Sequence, residues 1–395
     1  MKRFFAKKAI AAIIFISFIY IFSVCNFINS YKSLSMVNND ENIISNIENT
    51  INENILFKYG FVESYGYIQR LMGKNEENNF ELVKDNNNIF HYTYFSDGPK
   101  DVNELVESVT LLKSNMVNKN TKIICIIPPD KFIRGYTSFP TGMPYSYDNE
   151  TADNYIQGLR DKDVQYIDLR DSLLEKQIDL HNMFYKTDHH WKTETAFSAF
   201  QVIINDLASN DDKLLQQDLD YFLNKQNYNF IEYKNSYVGS MARKAGITYT
   251  GVDDFTLIYP KFKTNYIVQY TSPNKSFESR GLFQDTMINS NSFLNKNGPY
   301  SVESDKYFSY LLGNISDVHI KNNNISNGSK AVFIKDSFAV PVAAFMSTLF
   351  EDIYLVDPRY YEGSIKDYVN SISNIDYLFI FYSLPNLTTE FFDFS

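Results

Sequence analysis

The chain has 395 residues, 44% of them hydrophobic, and a formal net charge of -10. That length suits one large domain or two ordinary ones with a sizeable core, and the acidic balance argues against a nucleic-acid partner, which needs a basic surface. The two cysteines, Cys25 and Cys125, fall in apolar runs of different character, so neither a disulfide framework nor a metal-binding spacing is present.

At the N-terminus Lys2, Arg3, Lys7 and Lys8 precede an uncharged stretch from Ala9 to Tyr31. A helix crosses a hydrocarbon core of about 30 Å with about 20 apolar residues, so residues 9–31 predict a transmembrane anchor. The basic flank predicts a cytoplasmic tail at 1–8 and an extracytoplasmic location for everything after the anchor. The rival is a cleaved signal peptide, whose apolar region is normally ~7–15 residues and ends in a small-residue site. No A-x-A site follows here, and a lipoprotein-type site at Cys25 meets a bulky Val24. The Asn/Glu-rich stretch 32–60 predicts a polar spacer, with a folded catalytic domain over 61–395.

Within that domain TKIICIIPPD (121–130) predicts a buried strand stopped by two prolines at a functional loop. Residues 151–163 predict a helix, and 164–173 a strand and turn. The segment 181–207 starts as a loop and becomes an amphipathic helix from about Thr193, with Ala196, Phe197, Phe200 and Ile204 on one face. Residues 225–320 are rich in Tyr, Asn, Ser and Thr and predict an inserted β-rich subdomain or lid. Then KAVFIKDSF (330–338) predicts a strand and sharp turn, 339–350 a helix with Pro341 in its first turn, and 352–361 and 375–387 two further strands with loops. Near-continuous apolar strands alternating with helices predict an α/β fold whose parallel sheet is covered on both faces. Functional residues in such sheets gather at the strands' carboxyl ends.

Three features fall at such ends. Thr187-Asp188-His189-His190-Trp191 holds two of the five histidines in the chain, just before a helix. A histidine can take and return a proton near neutral pH, and an aspartate two residues away can orient it. Ser337, in Ile334-Lys335-Asp336-Ser337-Phe338, sits between an apolar strand and a helix, where a hydroxyl is presented above the sheet. Each has a plain structural alternative, since Thr, Asp and Ser before a helix commonly cap it. The third feature is the pair of loops Arg359-Tyr360-Tyr361 and Ser383-Leu384-Pro385-Asn386, either of which can supply oxyanion donors or be ordinary polar loop. His91, His181 and His319 are scattered and suggest no metal site.

The TDHHW segment resembles the signature of bacterial DHHW proteins, which are similar to the alginate O-acetyltransferase J/X/V group of the SGNH hydrolase-like superfamily. In that group an Asp-x-His-Trp motif lies upstream of a Gly-Asp-Ser-Phe-like turn, an order permuted relative to ordinary SGNH enzymes. The resemblance covers residues 60–395 and is most specific at Asp188–Trp191, Lys335–Phe338 and VDPRYY. It implies Asp188 as orienting acid, His190 as base and Ser337 as nucleophile. It also implies Asn386, and Arg359 or Tyr360, as oxyanion or substrate-binding residues. One departure is that Lys335 stands where the family has glycine. IIPPDK (126–131) and Tyr237-Val238-Gly239-Ser240 are also family-like, without an assigned role.

What the resemblance implies is a serine-dependent O-acetyltransferase, outside the cytoplasmic membrane, acting on a cell-surface polysaccharide or wall glycan. It implies no cofactor and a multispanning membrane acyltransferase as the partner that supplies acetyl groups. Two alternatives stay open: a carbohydrate esterase or deacetylase using the same triad, and a catalytically inactive glycan-binding scaffold.

Overall fold

The computed structural model describes residues 2–35, 43–176, 179–209, 211–273, 275–294 and 298–395. Part of the expected spacer, at 36–42, lies outside the described residues. Two compact units are present, Met1–Met72 and Gly73–Ser395. The first is helical: Lys2–Leu34, Ile43–Glu53 and Lys58–Leu71. Its long helix, over Phe5–Leu34, has a mean hydropathy of 2.3 and is long and apolar enough to cross a membrane. Ile13, Ile14, Phe15 and Ile16 on it are all exposed, so no protein core takes them up.

The second unit carries the sheets. In chain order the strands are β1 (Glu76–Glu77), β2 (Leu82–Lys84), β3 (Phe90–Tyr92), β4 (Lys122–Ile127), β5 (Gln165–Asp168), β6 (Tyr228–Tyr237), β7 (Asp253–Pro260), β8 (Tyr266–Ser272), β9 (Lys275–Gly281), β10 (Asp317–Asn322), β11 (Lys330–Lys335), β12 (Asp352–Val356) and β13 (Tyr377–Phe381). The main sheet runs β5-β4-β13-β11-β12-β10-β8-β9. Its first five strands are parallel, as expected. The sheet as a whole is mixed rather than parallel, because β10, β8 and β9 extend it antiparallel. Those three strands come from the stretch expected as a β-rich insertion, which also supplies the separate β6–β7 ribbon.

Side-chain alternation explains the difference. In β11, Ala331 and Phe333 face one core while Val332 and Ile334 face the other; β13 and β4 alternate in the same way. A strand buried on both faces needs a helix layer on each side. One layer holds the helices Thr193–Ala208 and Ala339–Met346, and the other holds Asn103–Asn115 and Asp148–Asp161. In β10 only Val318, Ile320 and Asn322 are buried, and in β8 alternate residues Tyr266, Val268 and Tyr270. A single apolar face per strand is the pattern of an antiparallel edge with one side in solvent.

Candidate active site

Two helices on one face of the sheet bring the site together. Thr193–Ala208 and Ala339–Met346 are packed neighbours, with the Phe345 ring 5.2 Å from Phe197 and 6.1 Å from Phe200. His190 stands three residues before the first helix and Ser337 two residues before the second. Packing the helices side by side therefore joins residues 147 apart in sequence. Trp191, fully buried, wedges this junction with its ring 5.3 Å from Phe338.

Ser337 Oγ lies 2.7 Å from His190 Nε2, and His190 Nδ1 lies 2.5 Å from Asp188 Oδ1. A carboxylate only accepts, so Nδ1 carries the proton and Nε2 is left to accept from the serine hydroxyl. Asp188, His190 and Ser337 are 1%, 3% and 8% exposed. Burial pushes the Asp188 carboxyl up, but the two neighbouring imidazoles and the Ser240 N–H outweigh it and hold the group well below the usual carboxylate range. The His190 ring also lies on the Tyr307 ring, with centroids 3.7 Å apart and an interplanar angle of 15°. Tyr307 Oη accepts from Trp191 Nε1 at 3.1 Å and donates to the Ser337 carbonyl at 3.3 Å, tying both halves of the site to one side chain.

The acid is itself held from a distance. Asp188 Oδ1 accepts from the His190 N–H at 3.0 Å and Oδ2 from the Ser240 N–H at 2.6 Å. Thr187 is fixed by Asp253, which accepts from its N–H at 2.7 Å and its hydroxyl at 2.6 Å. Gly239 donates to the Thr187 hydroxyl at 3.1 Å, and Met241 N–H to the Thr187 carbonyl at 3.0 Å. Lys131, 7% exposed, donates to the Asp188 carbonyl at 2.5 Å and the Lys186 carbonyl at 3.3 Å. The Tyr237–Ser240 and 126–131 segments, unassigned from sequence, thus clamp the turn that carries the acid. Tyr307 and Asp253 had no signal in sequence, because each is a single polar residue in an irregular or alternating segment.

Ser337 opens on a cavity of about 340 Å³ whose wall includes Asp130, Phe139, His189, Arg359 and Asn386. Pockets of this size, part aromatic and part polar, are typical of small-molecule sites. The loops that form it follow β4, β11, β12 and β13, four adjacent strands at the carboxyl edge of the sheet. Asn386 lines the cavity and donates from Nδ2 to Asp336 at 2.8 Å; the same carboxylate accepts from the Ser383 N–H and hydroxyl, each at 2.7 Å. Asp336 so binds the Ser337 turn to the last loop. Arg359 also lines the cavity, gripped by Asp357 through Nε at 2.9 Å and Nη2 at 2.7 Å. Tyr360 is 45% exposed and is not part of the cavity wall. Lys335 neither crowds the turn nor faces the cavity: buried, it pairs at 2.9 Å with Asp357 Oδ2, the oxygen that also accepts from Arg359 Nη2.

Donor atoms of Asp188, His189 and His190 lie within 4.8 Å of one another, a grouping able to hold a metal ion. Both ring nitrogens of His190 and both Asp188 oxygens are already engaged by the hydrogen bonds above.

The family described as SGNH hydrolase-like domain, acetyltransferase AlgX, matches residues 91–289, which include Asp188 and His190 and end before Ser337. No curated protein matches the chain by sequence. Among solved structures, Bacillus cereus PatB1 with a sulfonyl adduct is similar with a TM-score of 0.64 and 18% identity, over 80% of this chain and 98% of that one. A DHHW family protein from Eubacterium siraeum is similar with a TM-score of 0.57 and 18% identity, over 78% and 91%. At such identities these likenesses speak for the fold. With half of its length matched by the family, and the expected α/β sheet in place, the chain belongs to the AlgX acetyltransferase family of SGNH hydrolase-like domains.

Proposed function

We propose that this chain is a membrane-tethered, extracytoplasmic serine O-acetyltransferase acting on a cell-surface polysaccharide or wall glycan. The observation that carries the reading is the hydrogen-bonded chain Asp188–His190–Ser337 at the wall of a cavity. In this reading residues 9–31 anchor the chain, 1–8 stay cytoplasmic, and the domain from 61 onward does the chemistry. A multispanning membrane acyltransferase supplies the acetyl group.

The mechanism is ping-pong. His190 Nε2 takes the Ser337 proton as Oγ attacks the donor's acyl carbon. The imidazolium, oriented by Asp188 and faced by the Tyr307 ring, then gives that proton to the leaving oxygen. An acetyl-Ser337 ester remains. A sugar hydroxyl next loses its proton to His190 Nε2 and attacks the ester carbon. The bond from carbon to Ser337 Oγ breaks, and the proton returns to Oγ. The Ser337 N–H and the Asn386 amide are the donors assigned to the tetrahedral oxyanion, with Arg359 beside them on the wall.

The test is phenylmethylsulfonyl fluoride labelling followed by peptide mass spectrometry. One adduct is expected on Ser337, absent in Ser337→Ala and formed at least ~100-fold more slowly in His190→Ala, since triad members act as a unit. Modification of a different serine, or unchanged labelling in His190→Ala, overturns the reading. With p-nitrophenyl acetate as donor, acetate release without saccharide acetylation would assign the same triad to an esterase.

A further inference from the structure

The segment after β4 does more than brace the acid. Two prolines end the strand, and Asp130, Lys131 and Phe132 then all line the cavity that holds Ser337. A second carboxyl, Asp148, lies on the same wall, and the two differ in how they are satisfied. Asp148 accepts from the Ser146 hydroxyl at 2.6 Å and the Tyr94 hydroxyl at 3.0 Å, with the Lys100 ammonium 3.8 Å away. The donors to Asp130 are the main-chain N–H groups of its own turn, at Lys131 and Phe132. A carboxyl offers about four lone-pair sites, so Asp130 keeps capacity for a ligand.

The second observation is the aromatic wall beside it. Phe132 lies 5.3 Å from Phe139 and 4.7 Å from Tyr145, and Phe139 lies 5.1 Å from His91, centroid to centroid. All four rings line the cavity. The third is spacing. In the sheet β13 separates β4 from β11, so the strand ends carrying Asp130 and Ser337 stand about 10 Å apart at ~4.8 Å per strand. A pyranose ring has C–H faces that suit aromatic rings, and an edge of adjacent hydroxyls that suits a carboxyl.

Resting on the acyl-transfer reading above, we propose that Asp130, with the Phe132–Phe139–Tyr145 wall, is the acceptor subsite. It binds one pyranose unit through adjacent hydroxyls and presents a neighbouring hydroxyl to acetyl-Ser337. Asp130 is then the specificity-determining residue for a sugar over water. Burial first, and the Asp148 carboxyl second, push the Asp130 carboxyl up to about 8, so near neutrality it can donate as well as accept.

The test uses the full chain, p-nitrophenyl acetate as donor, and chitopentaose or methyl β-glucopyranoside as acceptor. Acylation is read from the nitrophenolate burst. Acceptor use is read from the saccharide-stimulated turnover. Chitopentaose binding to the Ser337→Ala chain is read separately by saturation-transfer NMR. In Asp130→Asn the acceptor KM is expected to rise by about 10-fold relative to any change in the burst rate, the loss of roughly one hydrogen bond made by the carboxyl O–H. Phe139→Leu is expected to move acceptor KM the same way and guards against a loop defect special to residue 130. A burst with no saccharide stimulation in the parent chain overturns the subsite, as does an Asp130→Asn change falling equally on burst and acceptor KM. Absence of any burst sinks the acyl-transfer reading instead. The NMR arm then decides the subsite alone: binding weakened by Asp130→Asn upholds it, and no binding or unchanged binding overturns it.

Discussion

Asp130 illustrates what a ligand-binding carboxyl costs its own fold. Its folded-state value, pushed to about 8, lies above the ordinary 3.8. Below pH 3.8 the group is protonated in both folded and unfolded chains and its contribution is fully present. Between 3.8 and about 8 the unfolded chain releases the proton while the folded chain keeps it, so stability is lost as pH rises through that window. Asn keeps the shape and the main-chain acceptor without the ionisation. Asp130→Asn is therefore expected to raise Tm at pH 7.5 and to leave it unchanged at pH 3, measured by scanning calorimetry. A Tm that falls at both pH values would show that the carboxyl stabilises the loop. Lys131 does not confuse the comparison. Burial lowers it to about 8 from 10.5, and its own effect, a gain in stability as pH rises, belongs to the window above 8. At this scale the grouping of Asp188, His190 and Ser337 was legible because the three side chains sit in two short polar segments, each beside a helix start. Tyr307 and Asp253 were not, since a lone tyrosine or aspartate in sequence does not show which ring or turn it will meet. Lys335 was misleading for the same reason: only the fold reveals that Asp357, 22 residues on, takes its charge.

At the level of elements, the turn 184–191 is a part with its own fastenings. Tyr185 N–H donates to the His190 carbonyl at 3.2 Å and Lys192 N–H to the Met183 carbonyl at 2.8 Å, closing it like a hairpin. The 237–242 segment presses on it so closely that a Cβ at Gly239 would lie 2.3 Å from the Thr187 carbonyl oxygen and 2.5 Å from Asp188 Cβ. The backbone at Gly239 is extended, at φ −73°, so the need for glycine here is one of space and not of conformation. Gly239→Ala must push back the turn that carries Asp188 and His190. Because displacements near 1 Å can cost ~100-fold in rate, the p-nitrophenyl acetate burst in Gly239→Ala is expected to slow by about that factor. Far-ultraviolet circular dichroism should remain that of the parent. A burst within two-fold of the parent would mean that the turn yields without moving the triad. The parallel strands were legible as elements because strands buried on both faces are apolar at nearly every position. The antiparallel strands read as something separate, since half-buried, Tyr- and Thr-rich alternation does not say which sheet a strand will join.

For the molecule as a whole, the two units carry different kinds of apolar surface. Every core cluster among the described residues is drawn from 82–394. The Phe5–Leu34 helix presents its large apolar side chains outward instead, at 56–65% exposure from Ile10 to Phe18. In water a helix of that kind is an aggregation liability, and in a bilayer it needs nothing further. A chain of residues 73–395 is therefore expected to be soluble, to unfold cooperatively, and to label at Ser337 with phenylmethylsulfonyl fluoride at the full-length rate within two-fold. The full-length chain is expected in the membrane fraction, and released only by detergent. Those outcomes together would separate rate from location, assigning the labelled serine to one unit and membrane attachment to the other. Loss of Ser337 labelling in a well-folded 73–395 chain would overturn that separation and make the first 72 residues part of the catalytic machinery.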